Sequence, residues 1–381
     1  MSTTYQALVQ ESANEPLVLK ALPTPSTPTP FGTALVQPLY SNLASYTRSL
    51  ANGTYTRPVC YPLVPGHSCV GRIESVGADA TRLKPGDIVW VDSLVTARDD
   101  PDTQFLLGFF GGAGPAAQKL MADAWPQGCF AEKVAVPLEN CFVLPKRWFE
   151  AKAKGGAGYS VKDMAALSFI LVGFAGLVDA GVGAGTTVIV APATGKFSGG
   201  AVLAALALGA KVVAASRSQE KLEVLRQFPG ARERLSTVRL GGDVDEDAKK
   251  LLEATGNKGA HVFMDVSPQL TFLPSHFPAA LKALRRNAQV ILEGGLNADV
   301  SFNYLDAMVR NLTVKGKFMY EREHVDKCIE MIDNGNLVLG ESVGLTVSGV
   351  YGLDEVVDAV ESKEGNEWWG SDVLVAPNGQ A

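Results

Sequence analysis

Residues 186–216, TTVIVAPATGKFSGGAVLAALALGAKVVAAS, restrict the fold more than any other stretch of the chain. Two short apolar runs, VIVA and KVVAAS, flank an alanine-rich helical segment. A strand that is apolar on both faces belongs to a parallel sheet covered by helices, and parallel neighbours need a crossover. The turn before the helix, Ala193–Ser198, stands where a dinucleotide-binding βαβ unit carries G-x-G-x-x-G. Gly195 matches strictly, Ala193 and Ser198 replace the outer glycines with small residues, and Gly199 and Gly200 follow at once. Small residues there let the backbone approach a pyrophosphate at a helix N-terminus. Ala193, Thr194, Gly195 and Ser198 are therefore candidate cofactor contacts. The plainer alternative is a tight βα turn in any α/β protein.

The alternation continues downstream. QEKLEVLRQF reads as a helix, while STVRL, HVFMDV and AQVILEGG read as strands, and LTVKGKF is the expected last strand. Strands alternating with helices predict a doubly wound parallel sheet. Such sheets bind ligands outside the carboxyl ends of their strands, which marks Ser267, Gly294 and Gly295 as further candidates. The second strand ends in Ala215, Ser216, Arg217 and Ser218, with no carboxylate to accept from ribose hydroxyls. A guanidinium beside hydroxyls suits a 2′-phosphate instead. NADPH is thus expected over NADH, read by Ser216 and Arg217; the alternative leaves Arg217 as a solvated helix-start residue.

The first third of the chain has a different rhythm. TALVQPLY, VGRIESVG, DIVWVDS and FAEKVAVP read as strands, with KPGD as a turn. Between them, Leu94–Gly128 is an excursion with a Gly-rich middle and apolar side chains at Phe105, Leu106, Leu107, Phe109 and Phe110. A loop segment of that length predicts a lid or an interface, with the G-G-A-G run as a hinge. After the helix EHVDKCIEMIDNG comes strand–helix–strand again, VGLTVSGVYG, LDEVVDAVES and WGSDVLVA. The expected division is a β-rich domain over 1–160 completed by 325–381, with a dinucleotide-binding domain over 161–324.

Composition excludes several classes. The formal net charge is -6, and no basic stretch interleaves with aromatics, so no nucleic-acid partner is expected. The most apolar long run, Ala165–Ala180, is short for a membrane span and reads as a buried helix. The five cysteines form no C-x-x-C pair, and MSTTYQALVQ has no apolar signal core. A reducing, cytoplasmic setting follows as the expectation.

With both halves in view, the chain resembles the medium-chain dehydrogenase/reductase superfamily over nearly its whole length. The matching features are VPGHSCVGRIESVG (Val64–Gly77), LKPGDIV (Leu83–Val89), the FAEKVAVP strand and the βαβ unit above. The likeness is greatest to the zinc-free quinone oxidoreductase and enoyl reductase branches. It implies a GroES-like β-rich catalytic domain and a Rossmann domain. Zinc-dependent members hold the metal through cysteine, histidine and acidic positions, which fall here on Ser41, Ala44, His67, Ser68 and about Val172. Only His67 remains, and one imidazole cannot fill a four-coordinate site, so no metal is expected. His67 is then either a core histidine with a backbone hydrogen bond or a catalytic group. In the zinc-free relatives a tyrosine near the first helix lines the site, and Tyr46 falls on that position. The resemblance implies hydride transfer from NADPH to a small molecule, an activated alkene or a quinone. A metal-free carbonyl reductase and a non-redox NADPH-binding protein stay open beside it. It also implies a homodimer paired through the last Rossmann strand.

Overall fold

The structure, a computed structural model, describes residues 3–362 and 368–380. These residues divide into two compact units, one holding 169–346 with 368–370 and the other the remainder. The first unit opens with a hairpin, β1 (Thr4–Val9) and β2 (Val18–Pro23). Then come β3 (Thr33–Asn42), the short α1 (Tyr46–Ala51), β4 (Cys69–Val76), β5 (Ile88–Val91), β6 (Leu94–Thr96), β7 (Gln104–Leu106), α2 (Pro115–Ala124), β8 (Val134–Pro137) and β9 (Cys141–Val143). The ten-residue β3 is central, pairing antiparallel with β4 and β8. It carries Pro38, and the register with β4 shifts there, as a residue without an N–H requires.

The second unit is the predicted parallel sheet. Helix α3 (Leu167–Asp179) leads into β10 (Thr187–Ala191), α4 (Lys196–Ala207), β11 (Lys211–Ser216), α5 (Gln219–Val224), α6 (Ala231–Arg234), β12 (Leu235–Arg239), α7 (Val244–Ala254) and β13 (Ala260–Asp265). It ends with α8 (His276–Lys282), β14 (Leu284–Leu292), α9 (Tyr304–Arg310), β15 (Thr313–Gly316) and α10 (Arg322–Asp333). The strand order is β12-β11-β10-β13-β14-β15, every pair parallel. The chain reverses direction across the sheet between β10 and β13, so the carboxyl ends of those strands form the ligand edge. The tail, β16 (Thr346–Tyr351), α11 (Val356–Ser362) and β17 (Ser371–Val375), returns to the first unit, where β17 pairs with β3.

The expected return at 325 is corrected to 347, because α10 stays with the parallel sheet. His324 on α10 lies 3.0 Å from Asp179 at the end of α3, and that partly buried contact holds the helix there. Residues 368–370 also belong to the second unit, although the strand that follows belongs to the first. The apolar segment Val161–Asp179 is long enough to cross a membrane by composition, yet 78% of it is buried within the protein, as a core helix is. All five cysteines are free thiols, four of them buried.

The Leu94–Gly128 excursion is a hairpin followed by a helix. Phe105 and Leu107 are wholly buried in the core of the first unit, and Leu106 is buried too, so these three are not a lid. Nor is the G-G-A-G run a free hinge. A Cβ on Gly112 would lie 2.3 Å from the Ala117 Cβ and 2.4 Å from the Gln104 carbonyl oxygen. Glycine is needed there for packing.

Close approach of backbone to backbone also governs the second unit. A Cβ on Gly200 would sit 2.7 Å from the Phe169 carbonyl oxygen and 3.0 Å from the Ile170 Cα. Backbone cannot step aside as a flexible side chain does. Gly200→Ala should therefore destabilise the protein by about 1–3 kcal/mol, the usual cost of overpacking, despite gaining about 1 kcal/mol of helix propensity. Urea denaturation would measure it, and a more stable variant would show that α3 and α4 are not in close contact.

Candidate functional site

Two candidate residues named from sequence meet in the first unit. Tyr46 opens α1, and its hydroxyl bonds the Nδ1 of His67, a buried residue in the loop before β4. His67 is therefore bonded through Nδ1 to a side chain. Burial lowers the His67 pKa to about 4. Burial first, and then the neighbouring Tyr55, hold the Tyr46 phenol well above its usual pKa. Both partners are neutral near pH 7. With the phenol donating to Nδ1, the single imidazole proton sits on Nε2.

Aromatic rings frame this pair. Phe109, from the excursion, stacks on Tyr46 with ring centroids 3.9 Å apart, and Tyr55 lies 4.8 Å from Phe109. The excursion thus reaches the candidate site through Phe109. The Tyr55 hydroxyl is sealed from solvent and has no hydrogen-bond partner among the described residues. Burial pushes its pKa up to about 12. Arg48 is tied elsewhere, donating to the Val360 carbonyl at 3.0 and 2.8 Å. The mapped zinc positions are occupied differently. The Ser41 hydroxyl donates to the Ser68 carbonyl oxygen at 2.6 Å. The Ser68 hydroxyl is buried without a partner among the described residues.

In the second unit the turn Ala193–Ser198 lies at the carboxyl end of β10. Gly195 precedes the first turn of α4, whose leading N–H groups have no partner inside the helix. Its own N–H donates to the Ser198 hydroxyl at 2.9 Å, so that side chain closes the turn. Ala193 is buried and donates to the Ala215 carbonyl at 2.9 Å. The Thr194 and Ser216 hydroxyls, 2.8 Å apart, join the ends of β10 and β11. Arg217 is exposed beyond them and makes no ion pair among the described residues.

At the ends of β13 and β14, Ser267, Gly294 and Gly295 come together. The Gly295 N–H donates to the Ser267 carbonyl at 2.7 Å, and a Cβ on Gly294 would lie 2.6 Å from the Ser267 nitrogen. The Ser267 hydroxyl donates to Asp265 at 2.7 Å, and His276 Nε2 lies 3.1 Å from it and 3.2 Å from the same carboxylate. Sequence reasoning missed His276, which reaches Ser267 only through the packing of α8.

A second unexpected group lies beside Gly294. Glu293 points at α3, where a Cβ on Gly176 would be 2.3 Å from its Oε1. Both carboxyl oxygens are sealed from solvent without a partner bond among the described residues. Burial pushes the carboxyl up to about 9, only partly offset by the Lys317 charge. Lys317 itself lies 3.2 Å from Asp179, which also bonds Lys315 at 2.9 Å and His324 at 3.0 Å. Burial opposes ionisation of Asp179, but those hydrogen bonds prevail and hold it at about 2. Asp179, Glu321 and His324 are the one described trio with metal-ligand spacing, and the two lysines already neutralise it.

The raised Glu293 pKa has a stability consequence. A carboxyl at about 4.5 unfolded and about 9 folded supports the fold fully below pH 4.5 and progressively less as the pH rises towards 9. Glu293→Gln keeps the neutral shape, so its advantage over the parent should grow with pH, to at most about 3 kcal/mol at pH 7. Urea midpoints at pH 4.5, 7 and 8.5 would measure this; a difference independent of pH would show that Glu293 ionises normally.

Two family models match the chain. The alcohol dehydrogenase GroES-like domain matches residues 32–146, and the zinc-binding dehydrogenase domain matches residues 199–334. A zinc-type alcohol dehydrogenase-like protein of Schizosaccharomyces pombe is 25% identical over 325 residues, covering 82% of each chain. An acryloyl-coenzyme A reductase of Sulfurisphaera tokodaii is 25% identical over 289 residues, covering 75% of this chain and 76% of the relative. Among solved structures, an NADP-bound protein from Sinorhizobium meliloti, described as a zinc-binding dehydrogenase, superposes with a TM-score of 0.73 at 18% identity, covering 99% and 100% of the two chains. The antiparallel unit built on β3, the parallel sheet with its small-residue turn after β10, and the two family models in this order lead to one assignment: the chain belongs to the medium-chain dehydrogenase/reductase superfamily of oxidoreductases.

Proposed function

We propose that this protein is an NADP(H)-dependent reductase that delivers hydride to an activated alkene or quinone without a catalytic zinc. The observation that carries the reading is the hydrogen bond between Tyr46 and His67 beneath Phe109. In place of metal ligands stand Ser41, Ala44 and Ser68, and the Ser41 hydroxyl is committed to backbone. Arg217 and the absence of a carboxylate at the end of β11 favour the 2′-phosphate. The NADP-bound structural neighbour supports that cofactor, and the relative named for acryloyl-coenzyme A, a conjugated thioester, supports an activated alkene as acceptor.

Bound NADPH would supply the hydride. The protein must then stabilise charge on the acceptor oxygen and return a proton. A simple ketone concentrates that charge on one alkoxide, where zinc enzymes use a Lewis acid worth several kcal/mol. A conjugated acceptor spreads it over an enolate or quinol, which a neutral phenol can serve. The Tyr46 hydroxyl would turn its single proton from His67 to that oxygen, and His67, with its ring proton then on Nδ1, would donate to the phenol oxygen and hold it in place. The rings of Phe109 and Tyr55 favour a flat, apolar substrate. The alcohol dehydrogenase-like relative keeps reduction of an isolated carbonyl as the second reading.

Product analysis with deuterated NADPH decides between them. Deuterium on the β-carbon of an enone is expected; deuterium on a carbinol carbon with the alkene intact would select the second reading. Tyr46→Phe should lower kcat by about 10²-fold, the effect of losing one oxyanion donor, with NADPH affinity nearly unchanged. Equal turnover by the variant would remove Tyr46 from the chemistry.

A homodimer is part of the same proposal. Strand β15 is the sheet's edge, and exposed apolar side chains surround it: Tyr304, Leu305, Met308 and Val309 on α9, with Val314 and Phe318. An edge strand beside an apolar patch is a template for a second copy. Met308→Glu should shift the protein to monomer in sedimentation equilibrium; a parent that is already monomeric overturns the proposal.

A further inference from the structure

Two adjacent tryptophans near the end of the described chain behave differently. Trp369 is an anchor. Its indole N–H donates to the Val343 carbonyl at 2.7 Å, and its ring packs edge-on to Phe169 and Phe228. Its backbone N–H donates to the Thr194 carbonyl at 2.9 Å, and Trp368 forms an antiparallel bridge with Gly195. This segment is therefore pinned by a single bridge and a neighbouring backbone bond to the turn after β10. Trp368, unlike its neighbour, is only partly buried. Lys221, in the first turn of α5, lies with its ammonium 5.6 Å from the centre of the Trp368 ring. The indole thus spans from the turn after β10 to the helix after β11. Across those two strand ends lies the adenosine half of a dinucleotide in a doubly wound sheet. Neither Lys221 nor the exposed Arg217 makes an ion pair among the described residues.

We propose that Trp368 is the stacking wall for the adenine, and that Lys221, held over its ring, joins Arg217 in gripping the 2′-phosphate. The second half rests on the NADP(H) reading; the first does not, because both dinucleotides carry adenine. An aromatic face offers a base a stack that does not depend on nicotinamide chemistry. The cation over the ring is held near the place where the phosphate would sit.

Calorimetric titration of the full chain with 5′-AMP and 2′,5′-ADP, two fragments without nicotinamide, separates the parts. Trp368→Ala should weaken both by about tenfold or more, the scale of one lost base stack. Trp368→Phe should keep most of that affinity, which distinguishes a lost stack from a disturbed turn. Lys221→Ala should weaken 2′,5′-ADP by about tenfold and leave 5′-AMP within about twofold, as a charge-assisted contact to phosphate alone would. Unchanged or tighter binding of both fragments by Trp368→Ala overturns the wall. Equal losses for both fragments in Lys221→Ala overturn its role as phosphate reader. If the parent binds the two fragments equally, the NADP(H) reading itself fails, while the Trp368 result on 5′-AMP still stands or falls alone.

Discussion

Helix α4 can lie where it does only because residues 199 and 200 have no side chains. At Gly199 the neighbour is the Trp369 ring, with a Cβ placed 2.6 Å from the Trp369 Cβ; at Gly200 it is the backbone of α3. That double approach sets the direction of α4, and α4 sets where its free N–H groups point. The hydroxyl contact between Thr194 and Ser216, and the Ala193 bond to Ala215, then fasten the turn to the second strand. A pyrophosphate site of backbone donors needs this rigidity, since its geometry cannot be recovered by side-chain rotation.

The parallel sheet was legible in the sequence because its signals are local. Runs such as VIVA and KVVAAS announce buried strands, and the small residues between them announce a close backbone approach. Tyr46 and His67 were legible by position against a family pattern, though their mutual bond was not. Trp368, His276 and Glu293 were not legible, and for one shared reason. Each acquires its meaning from a contact with an element distant in the chain: Trp368 with Gly195, His276 with Ser267 through α8, and Glu293 with the bare flank of α3 at Gly176. The excursion shows the converse. Its apolar residues were read as one group, but Phe105 and Leu107 serve the core while Phe109 stacks on Tyr46, beyond the hairpin of β6 and β7.

The polar groups kept inside the protein follow two regimes. Asp179 is surrounded by donors and stays charged at low pH, whereas burial outweighs the Lys317 charge and the Gly176 backbone at Glu293 and keeps it neutral to high pH. The same contrast holds between Tyr46, whose hydroxyl has a partner, and Tyr55, whose hydroxyl has none among the described residues. Unsatisfied groups of this kind cost stability and are uncommon unless a ligand or a mechanism uses them.

The return of residues 368–370 to the parallel-sheet unit has a consequence for how the molecule is made. A chain emerging from the ribosome usually completes its domains in order. Here Trp369 belongs to the unit that begins at 169, while the strand before it and the strand after it belong to the other. Neither unit owns an unbroken stretch that could finish ahead of its partner. The turn before α4 lacks its bridge to Trp368 until almost all of both units has been synthesised, and a nascent chain stalled before residue 368 would hold a parallel sheet whose first βα turn is unbraced.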